Sequence, residues 1–431
     1  MRILIKNGRV IDPSTKLDVM GDIFINNGII VEVGQNIKLD ADTIIEANGN
    51  WVVPGLIDIH VHLRDPGYEY KETIATGSNS AASGGFTTIC CMPNTSPVID
   101  NEVVVEYIKL KAEKESCVHI LPIGSITKGQ EGMELAEIGS MAKVGICAIS
   151  EDGMSVLNSG LLRKAMLYAK MFEIPVFSHC EDPALAGSGV MNDGETAALL
   201  GMKGIYRESE EVIVARDIIL ARSTGVKLHL CHLSTKGSIQ LLREAKHRGE
   251  KLTAEVCPHH FTLTDQAVEG YDSNTKVNPP LRTKEDIDAI KLAFKEGIID
   301  VIATDHAPHH IDEKNCEYDK AANGIVGLET AVALGITELV NQGFLSPMEL
   351  VEKMSTNPSK VLGIHKGTLG VGQMADITII NPNIEYEIDV NTFASKSRNS
   401  PFHGKKVKGK VLYTIVEGKI VLNNGKLEEI K

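Results

Sequence analysis

Residues 55–67 read GLIDIHVHLRDPG, and this stretch bears on both the fold and the site. Within it, the apolar residues of IDIHVHLR alternate with an aspartate, two histidines and an arginine. Period-two alternation predicts a β-strand whose two faces differ in polarity. His60 and His62 then lie on one face, where both imidazoles can reach one metal ion. We expect the isoleucine and valine residues between them to pack against helices outside the sheet.

Seven similar runs follow, separated by segments with helix-period apolar spacing such as residues 101–115 and 285–297. The runs are FTTICCM, VHILPI, VGICAI, PVFSH, KLHLCHL, LTAEVC and DVIATD. Strand–helix alternation repeated eight times predicts an α/β fold, a TIM-like (β/α)8 metal-dependent hydrolase barrel over residues 55–366. A further helix outside the barrel is predicted after Ser346, because Ser-Pro-Met-Glu forms a capping box.

The two chain ends have a different pattern. Residues 1–54 and 367–431 contain short alternating strands joined by turn pairs such as Asn27-Gly28 and Asn424-Gly425. Neither set alone can bury much surface. We therefore expect both termini to pack together as one composite β-sandwich domain beside the barrel domain.

Composition narrows the classes of partner. The chain has 431 residues, a net charge of −13 and no long basic run, which argues against binding to nucleic acid or to an anionic membrane surface. It opens on a strand-like run rather than a signal segment, and no apolar run approaches the roughly 20 residues that span a bilayer. The eight cysteines show no CxxC spacing, so we expect free thiols and a cytoplasmic protein.

Residue types that commonly bind metals cluster where the predicted strands end, which is where barrels of this type have their active sites. They are His60 and His62 after the first strand, Asp152 after the fourth, His179 after the fifth, His232 after the sixth and Asp305 after the eighth. Singly, each has a structural explanation: a core histidine, a turn aspartate before Gly153, or a capping aspartate at Asp305. Together, four imidazoles and two carboxylates predict a site for Zn²⁺, with Mn²⁺ or Co²⁺ as substitutes.

Four motifs carry a family resemblance. PGLIDIHVHLRDPG, GGFTTICCMPNT, VNPPLR and ATDHAPH resemble dihydroorotases of the amidohydrolase superfamily, of the bacterial class I type. GQMADITI and SPFHGKKVKGKV are similar to that family's composite β-domain, so the resemblance runs from about residue 3 to 425. HVHLRDPG followed by MPNT is specific to dihydroorotases, whereas His-x-His and a late aspartate mark only the superfamily.

The resemblance implies two Zn²⁺ ions per subunit. His60, His62 and Asp305 would hold the more buried ion, and His179 and His232 the second. Asp152 would bridge them, as in the class that uses no carboxylated lysine. The fourth run, VGICAIS, has no lysine near its C-terminal end, which argues against a hydantoinase or an allantoinase; Lys143 lies at the wrong end.

The resemblance also implies a set of substrate contacts. Arg64, Asn94 and His309 would bind the substrate carboxylate, and Asn278 would contact the ring. Backbone groups at Asn323-Gly324 would hold the ring, although the family usually has an aromatic residue at position 323. Without the family, Asn94 and Asn278 are better explained as turn residues beside proline.

The implied reaction is the reversible hydrolysis of dihydroorotate to N-carbamoyl-L-aspartate in de novo pyrimidine synthesis. Metal-bound hydroxide would attack the ring amide, and Asp305 would act as general base and then acid. The polar segment 308–324 is either a lid or a surface loop. We expect a homodimer, with possible association with aspartate transcarbamoylase. The alternatives are another cyclic amidohydrolase and a non-catalytic dihydroorotase-like scaffold subunit.

Overall fold

The computed structural model describes residues 1–429 and contains nineteen strands. In chain order they are β1 (Arg2–Asp12), β2 (Leu17–Asn26), β3 (Ile29–Gly34), β4 (Thr43–Glu46), β5 (Trp51–Pro54), β6 (Leu56–Val61), β7 (Phe86–Cys91), β8 (His119–Ser125), β9 (Ala148–Ser150), β10 (Val176–Ser178), β11 (Met191–Asn192), β12 (Gly204–Ile205), β13 (Leu228–Leu230), β14 (Leu252–Val256), β15 (Val301–Ile302), β16 (Ile377–Glu387), β17 (Lys406–Val416), β18 (Lys419–Asn423) and β19 (Lys426–Leu427).

Fourteen α-helices connect and follow these strands within the described residues. They are α1 (Ile74–Ser83), α2 (Glu102–Glu115), α3 (Ile138–Val144), α4 (Ser159–Met171), α5 (Pro183–Ala186), α6 (Glu195–Leu200), α7 (Glu208–Thr224), α8 (Lys236–His247), α9 (Pro258–Thr262), α10 (Lys284–Lys295), α11 (Ile311–Lys314), α12 (Ala331–Gly335), α13 (Pro347–Val351) and α14 (Asn357–Leu362). The predicted capping box is confirmed, because the Ser346 side chain accepts from the Glu349 N–H at the start of α13.

Eight parallel strands form the barrel, in the order β6, β7, β8, β9, β10, β13, β14, β15. All eight predicted runs are confirmed as strands of this sheet. The last strand returns to the first through a parallel bridge between Val61 and His306, where the His62 N–H donates to the His306 carbonyl at 2.8 Å. The nearly closed barrel therefore directs the carboxyl ends of its strands into one mouth.

The first strand differs from the expected simple alternation. Val61 packs with the outer helices as predicted, and Leu63 belongs to the same largest apolar cluster. Ile57 and Ile59 do not: they belong to a second cluster of strand residues, such as Phe177, closed by residues of α14. The reason is the pairing of β6 with β7, whose register shifts twice between Leu56 and Val61 and so breaks the period of two.

The chain ends form one nine-stranded sheet, as expected for a joint structure of both termini. β16 pairs antiparallel with β5, which joins the C-terminal strands to the N-terminal ones. The apolar core of this sheet contains residues from both ends of the chain, among them Ile3, Ile25, Ile377 and Ile415. We propose that the chain divides into this terminal domain, residues 1–54 and 367–431, and the barrel, residues 55–366.

None of the helices found within residues 1–429 is long and apolar enough to cross a membrane. All eight cysteines are free.

Candidate metal centre and active site

The barrel brings all six predicted metal ligands together. His60 lies in β6 and His62 just after it, and Asp152, His179, His232 and Asp305 follow β9, β10, β13 and β15 within three residues. All six are buried, Asp305 being the most exposed at 9%. They meet because parallel strands of a closed sheet end at the same mouth.

Four of the six predicted ligands form a compact group. His62 Nε2 lies 3.0 Å and His60 Nε2 lies 3.6 Å from Asp305 Oδ1. The Asp152 carboxylate faces the same two rings, with Oδ1 at 3.2 Å from His60 Nε2 and Oδ2 at 3.4 Å from His62 Nε2. Two imidazole nitrogens and two carboxylates thus point at one another across a small gap.

The second pair of histidines lies on the other side of Asp152. His179 Nδ1 is 3.0 Å from His232 Nε2, and these atoms lie 3.8 Å and 3.7 Å from Asp152 Oδ1. One carboxylate therefore stands between both histidine pairs. That is the position which a ligand shared by two ions needs.

The donor set fits a bound cation. His60 Nε2 and Asp152 Oδ1 are buried and have no hydrogen-bond partner among residues 1–429. Burying such atoms without a partner is costly, and a metal ion removes the cost. Donor atoms lie within 4.8 Å of one another in two overlapping groups: His60 with His62 and Asp305, and His60 with Asp152 and His232.

The charges around His60 also favour a cation. Burial opposes ionisation of Asp305, but the adjacent His60 and His62 rings outweigh it and lower the pKa of Asp305 below its usual range. Burial also opposes ionisation of Asp152, but His60 and His232 outweigh it, so the pKa of Asp152 lies well below its usual range. Both carboxylates are therefore anionic at neutral pH.

Glu255 is a further acidic residue of this site that the sequence analysis missed. Its Oε1 accepts from His60 Nδ1 at 2.6 Å, and its Oε2 lies 3.0 Å from His229 Nε2. With the proton on Nδ1, His60 presents the lone pair of Nε2 to the metal position. The available signal was a glutamate inside the apolar run LTAEVC.

One cysteine differs from expectation. Cys180 and Cys231 both flank predicted ligands, and the sequence favours thiols that pack outward. Cys180 does pack with the outer apolar cluster. Cys231 belongs to the cluster of barrel strands instead, and its Sγ lies within 4.8 Å of donor atoms of His60 and Glu255. The left-handed backbone of His232, with φ of 32°, follows directly after it.

A cavity of about 210 Å³ opens above the ligands. It is lined by five of the six predicted ligands, His60 lying deeper, and by every predicted substrate contact: Arg64, Asn94, Asn278, His309, Asn323 and Gly324. The structure therefore brings the predicted substrate contacts and five of the predicted ligands to one cavity.

Arg64 contributes a cation to this cavity. Its Nε donates to the Pro308 carbonyl at 3.2 Å, and its Nη2 lies 3.4 Å from His309 Nε2. No carboxylate within residues 1–429 is a hydrogen-bond partner of the guanidinium. Arg64 also has a φ of 59°, a left-handed conformation that turns the chain away from β6 just after His62.

The residues that line the cavity beside the predicted metal ligands are called the substrate wall. Neighbouring groups hold the other side chains of this wall in place. Asn94 Oδ1 lies 2.9 Å from His62 Nδ1, so Asn94 contacts a predicted metal ligand as well as the cavity. His309 Nε2 lies 2.8 Å from the Asn323 carbonyl and donates to it. Burial and the adjacent Arg64 lower the pKa of His309 to about 3, which leaves the ring neutral.

Gly324 has to be a glycine. Its φ is +132°, and a Cβ there would lie 2.6 Å from Ala307 Cβ and 3.2 Å from His309 Nε2. Because Gly324 has no side chain, the backbone of residues 323–324 can lie close to these neighbours and line the cavity.

The fold is shared with solved hydrolases of cyclic amides. It matches L-hydantoinase (dihydropyrimidinase) from Arthrobacter aurescens with a TM-score of 0.90 and 27% sequence identity, over 99% of this chain and 97% of that one. D-hydantoinase (dihydropyrimidinase) from Thermus sp. matches with a TM-score of 0.85 and 26% identity, over 100% and 97% of the two chains. Fold and ligand set together define a metal-dependent cyclic amidohydrolase.

Closer relatives specify the family. The dihydroorotase of Acetivibrio thermocellus is 54% identical over 420 residues, which are 97% of this chain and 99% of that one. The dihydroorotase of Caldanaerobacter subterraneus subsp. tengcongensis is 52% identical over 432 residues and the full length of both. The family model described as dihydro-orotase-like matches residues 49–238. The chain belongs to the dihydroorotase family, as the resemblance implied.

Proposed function

We propose that this chain catalyses the reversible hydrolysis of dihydroorotate to N-carbamoyl-L-aspartate. The observation that carries the proposal is Arg64: a guanidinium beside the candidate metal centre, lining the cavity, without a carboxylate hydrogen-bond partner in the described part of the chain. A cation in that state matches a substrate that brings a carboxylate, because guanidinium and carboxylate pair through charge-assisted hydrogen bonds. Dihydroorotate has such a group, whereas hydantoin and dihydrouracil do not.

The six ligands would hold two divalent ions, with Asp152 between them, and we propose Zn²⁺ because nitrogen and oxygen donors suit it. Such ions lower the pKa of bound water to about 7 and polarise the scissile carbonyl. Asp305, anionic and on the rim of the cavity, takes the proton of the attacking water and delivers it to the departing ring nitrogen.

The remaining wall residues orient the ring. Asn278 Oδ1 is buried without a hydrogen-bond partner among the described residues, so it is an acceptor available to a ring N–H. His309, held by Asn323, stands beside Arg64 on the side where the carboxylate would bind. Asn94 both contacts His62 and reaches the cavity, so its proposed contact with the carboxylate is shared with support of a ligand ring.

A hydantoinase-type activity is the second candidate, and the shared fold favours it. The two are separated by comparing dihydroorotate with dihydrouracil, the same ring without the carboxylate, and with hydantoin and allantoin. We expect turnover of dihydroorotate only, abolished in Asp305→Ala.

Arg64→Met sharpens the comparison. It should raise KM for dihydroorotate about 10- to 100-fold, since a hydrogen bond to a charged group contributes about 1.5–3 kcal/mol. Arg222→Met, whose side chain is 56% exposed, is the matched control and should leave KM unchanged. Turnover of dihydrouracil, or no effect of Arg64→Met, would favour the hydantoinase-type activity. A purified protein without bound metal would favour a scaffold subunit.

The assembly and location are proposals as well. We propose a homodimer in the cytoplasm, in association with aspartate transcarbamoylase where that enzyme is present. Light scattering of the pure chain, and of the chain mixed with aspartate transcarbamoylase, tests both assemblies. Elemental analysis gives the identity and number of the ions.

A further inference from the structure

Lys314 is a buried lysine at the end of α11, in the polar segment 308–324 that borders the cavity. It is only 3% exposed, although the surrounding segment is rich in charged residues. Burying an ammonium group is costly, and a methionine of similar length would bury the same stem without that cost. The contacts of the ammonium group indicate what it adds.

Lys314 Nζ faces three backbone carbonyls. It lies 2.8 Å from Ala322 O, 3.1 Å from Gly324 O and 3.4 Å from Lys276 O. Burial and the nearby Lys276 lower the pKa of Lys314 to about 7. Its protonated form has three donors and no acceptor, so the three carbonyls match that form in number. No carboxylate within residues 1–429 is a hydrogen-bond partner of this nitrogen. The group therefore joins pieces of backbone rather than forming an ion pair.

The three carbonyls belong to the segments that form the substrate wall. Ala322 and Gly324 flank Asn323, whose own carbonyl accepts from His309 Nε2. Lys276 O also accepts from the Gly324 N–H at 2.9 Å, and it lies two residues before Asn278. The Lys314 side chain thus links the backbone around residues 323–324 to the chain segment that carries Asn278.

We propose that Lys314 is a positioning residue for the substrate: it fixes residues 308–324 as a wall, so that substrate binds to a preformed surface instead of having to order a mobile lid. This inference rests on the proposed function for the identity of the substrate. A preformed wall saves ordering free energy on binding, so its loss appears in KM. The metal ligands lie on the barrel strands and do not depend on it.

The test compares Lys314→Met with Lys320→Met, a lysine of the same segment whose side chain is 67% exposed. In Lys314→Met we expect KM for dihydroorotate to rise about tenfold or more, with kcat within about twofold and metal content unchanged. Amide hydrogen exchange should accelerate at least about tenfold in residues 311–324 and stay unchanged in the barrel strands. Lys320→Met should match the wild type in all these measurements.

A second variant covers failure to fold. Lys314→Gln keeps two N–H donors and should give intermediate KM and exchange; Lys320→Gln is then its control. Wild-type KM together with wild-type exchange in Lys314→Met, or in Lys314→Gln if the former does not fold, would overturn the inference. So would a rise in KM accompanied by an equal loss of bound metal. Hydrogen exchange needs no substrate, so it measures how firmly residues 311–324 are held even if the wild type does not hydrolyse dihydroorotate. Absence of that hydrolysis would refute the proposed function but not the role of Lys314 in holding the wall.

Discussion

The metal centre and the substrate wall share one cavity, but they are held in different ways. The six candidate ligands stand on or just after strands of the barrel and contact one another directly. The wall consists of turns and loop backbone, held by the side chain of Lys314 within segment 308–324 and by that of Asn399 from the C-terminal part of the chain. Asn399 Nδ2 donates to the carbonyls of Ala307 and Gly324, both at 3.0 Å, and its Oδ1 accepts from the His309 N–H.

This difference separates two kinds of mutational effect. A change around the metal centre alters the reacting groups, whose geometry the barrel fixes. A change in the residues that hold the wall leaves those groups in place and alters what binding the substrate costs. The first kind should appear in metal affinity and kcat, and the second in KM.

The largest expected effect in this comparison is on metal affinity, from Glu255→Gln. The variant replaces the carboxylate that orients His60 through a 2.6 Å hydrogen bond. Partners of this kind contribute about 10- to 100-fold to metal affinity, so competition with a chelator should show a loss in that range. With excess metal, KM for dihydroorotate should stay close to that of the wild type.

The matched control for Glu255→Gln is Glu244→Gln, an exposed glutamate of α8. Unchanged metal affinity in Glu255→Gln would mean that the barrel alone orients His60, and a rise in KM without loss of metal would remove the distinction between the two regions.

The sequence was a good guide to the fold, and to which candidate ligands lie close together, for a physical reason. Each barrel strand is a short β-branched run between helical segments, and closure of the barrel places the ends of distant runs side by side. His179 and Asp305 are far apart in sequence, but both follow a barrel strand within three residues, so strand order alone predicts that they meet. The register shift in β6 was not predictable, because it depends on how that strand pairs with β7.

The residues that hold the wall could not be found in this way. Lys314 lies in a polar, charged segment, where a solvated surface lysine is the ordinary interpretation. Asn399 precedes Ser-Pro in the C-terminal part of the chain, 90 residues from His309. Both act through backbone carbonyls or N–H groups, which every residue has. No residue-type pattern marks such partners, and only the folded arrangement identifies them.

A smaller effect is expected from Asn399→Ala, which removes the side chain that holds the substrate wall from the C-terminal part of the chain. The substitution leaves the Ala307 carbonyl and the His309 N–H without their partner, while the Gly324 carbonyl keeps Lys314 Nζ. Each loss costs about 1–3 kcal/mol where water cannot replace it. KM for dihydroorotate should rise about tenfold, with metal content unchanged and kcat within about threefold. Asn391→Ala, an exposed asparagine, is the control. A collapse of kcat at unchanged KM would place Asn399 with the metal centre instead.

The smallest effect concerns Glu329, which supports the segment that leads to Asn399. Its carboxylate accepts from the N–H groups of Ala394 and Ser395 and from the Ser80 hydroxyl, while Arg398 is the nearby cation. Burial nevertheless raises the pKa of Glu329 to about 7. Between pH 4.5 and 7 the unfolded chain therefore ionises at this residue before the folded one does, so this group lowers the free energy of unfolding as pH rises, and the loss is complete above pH 7.

Glu329→Gln removes that titration. Relative to the wild type, the variant should become more stable by about 1–3 kcal/mol between pH 5 and 7.5, since one pKa unit corresponds to about 1.4 kcal/mol. Denaturant unfolding of both proteins at the two pH values measures the difference. The metal centre should not respond, because Glu329 touches none of its ligands, so bound metal per chain at pH 7.5 should be the same in both. A stability difference that stays constant with pH would mean that the donors from Ala394 and Ser395 offset burial and keep Glu329 ionised.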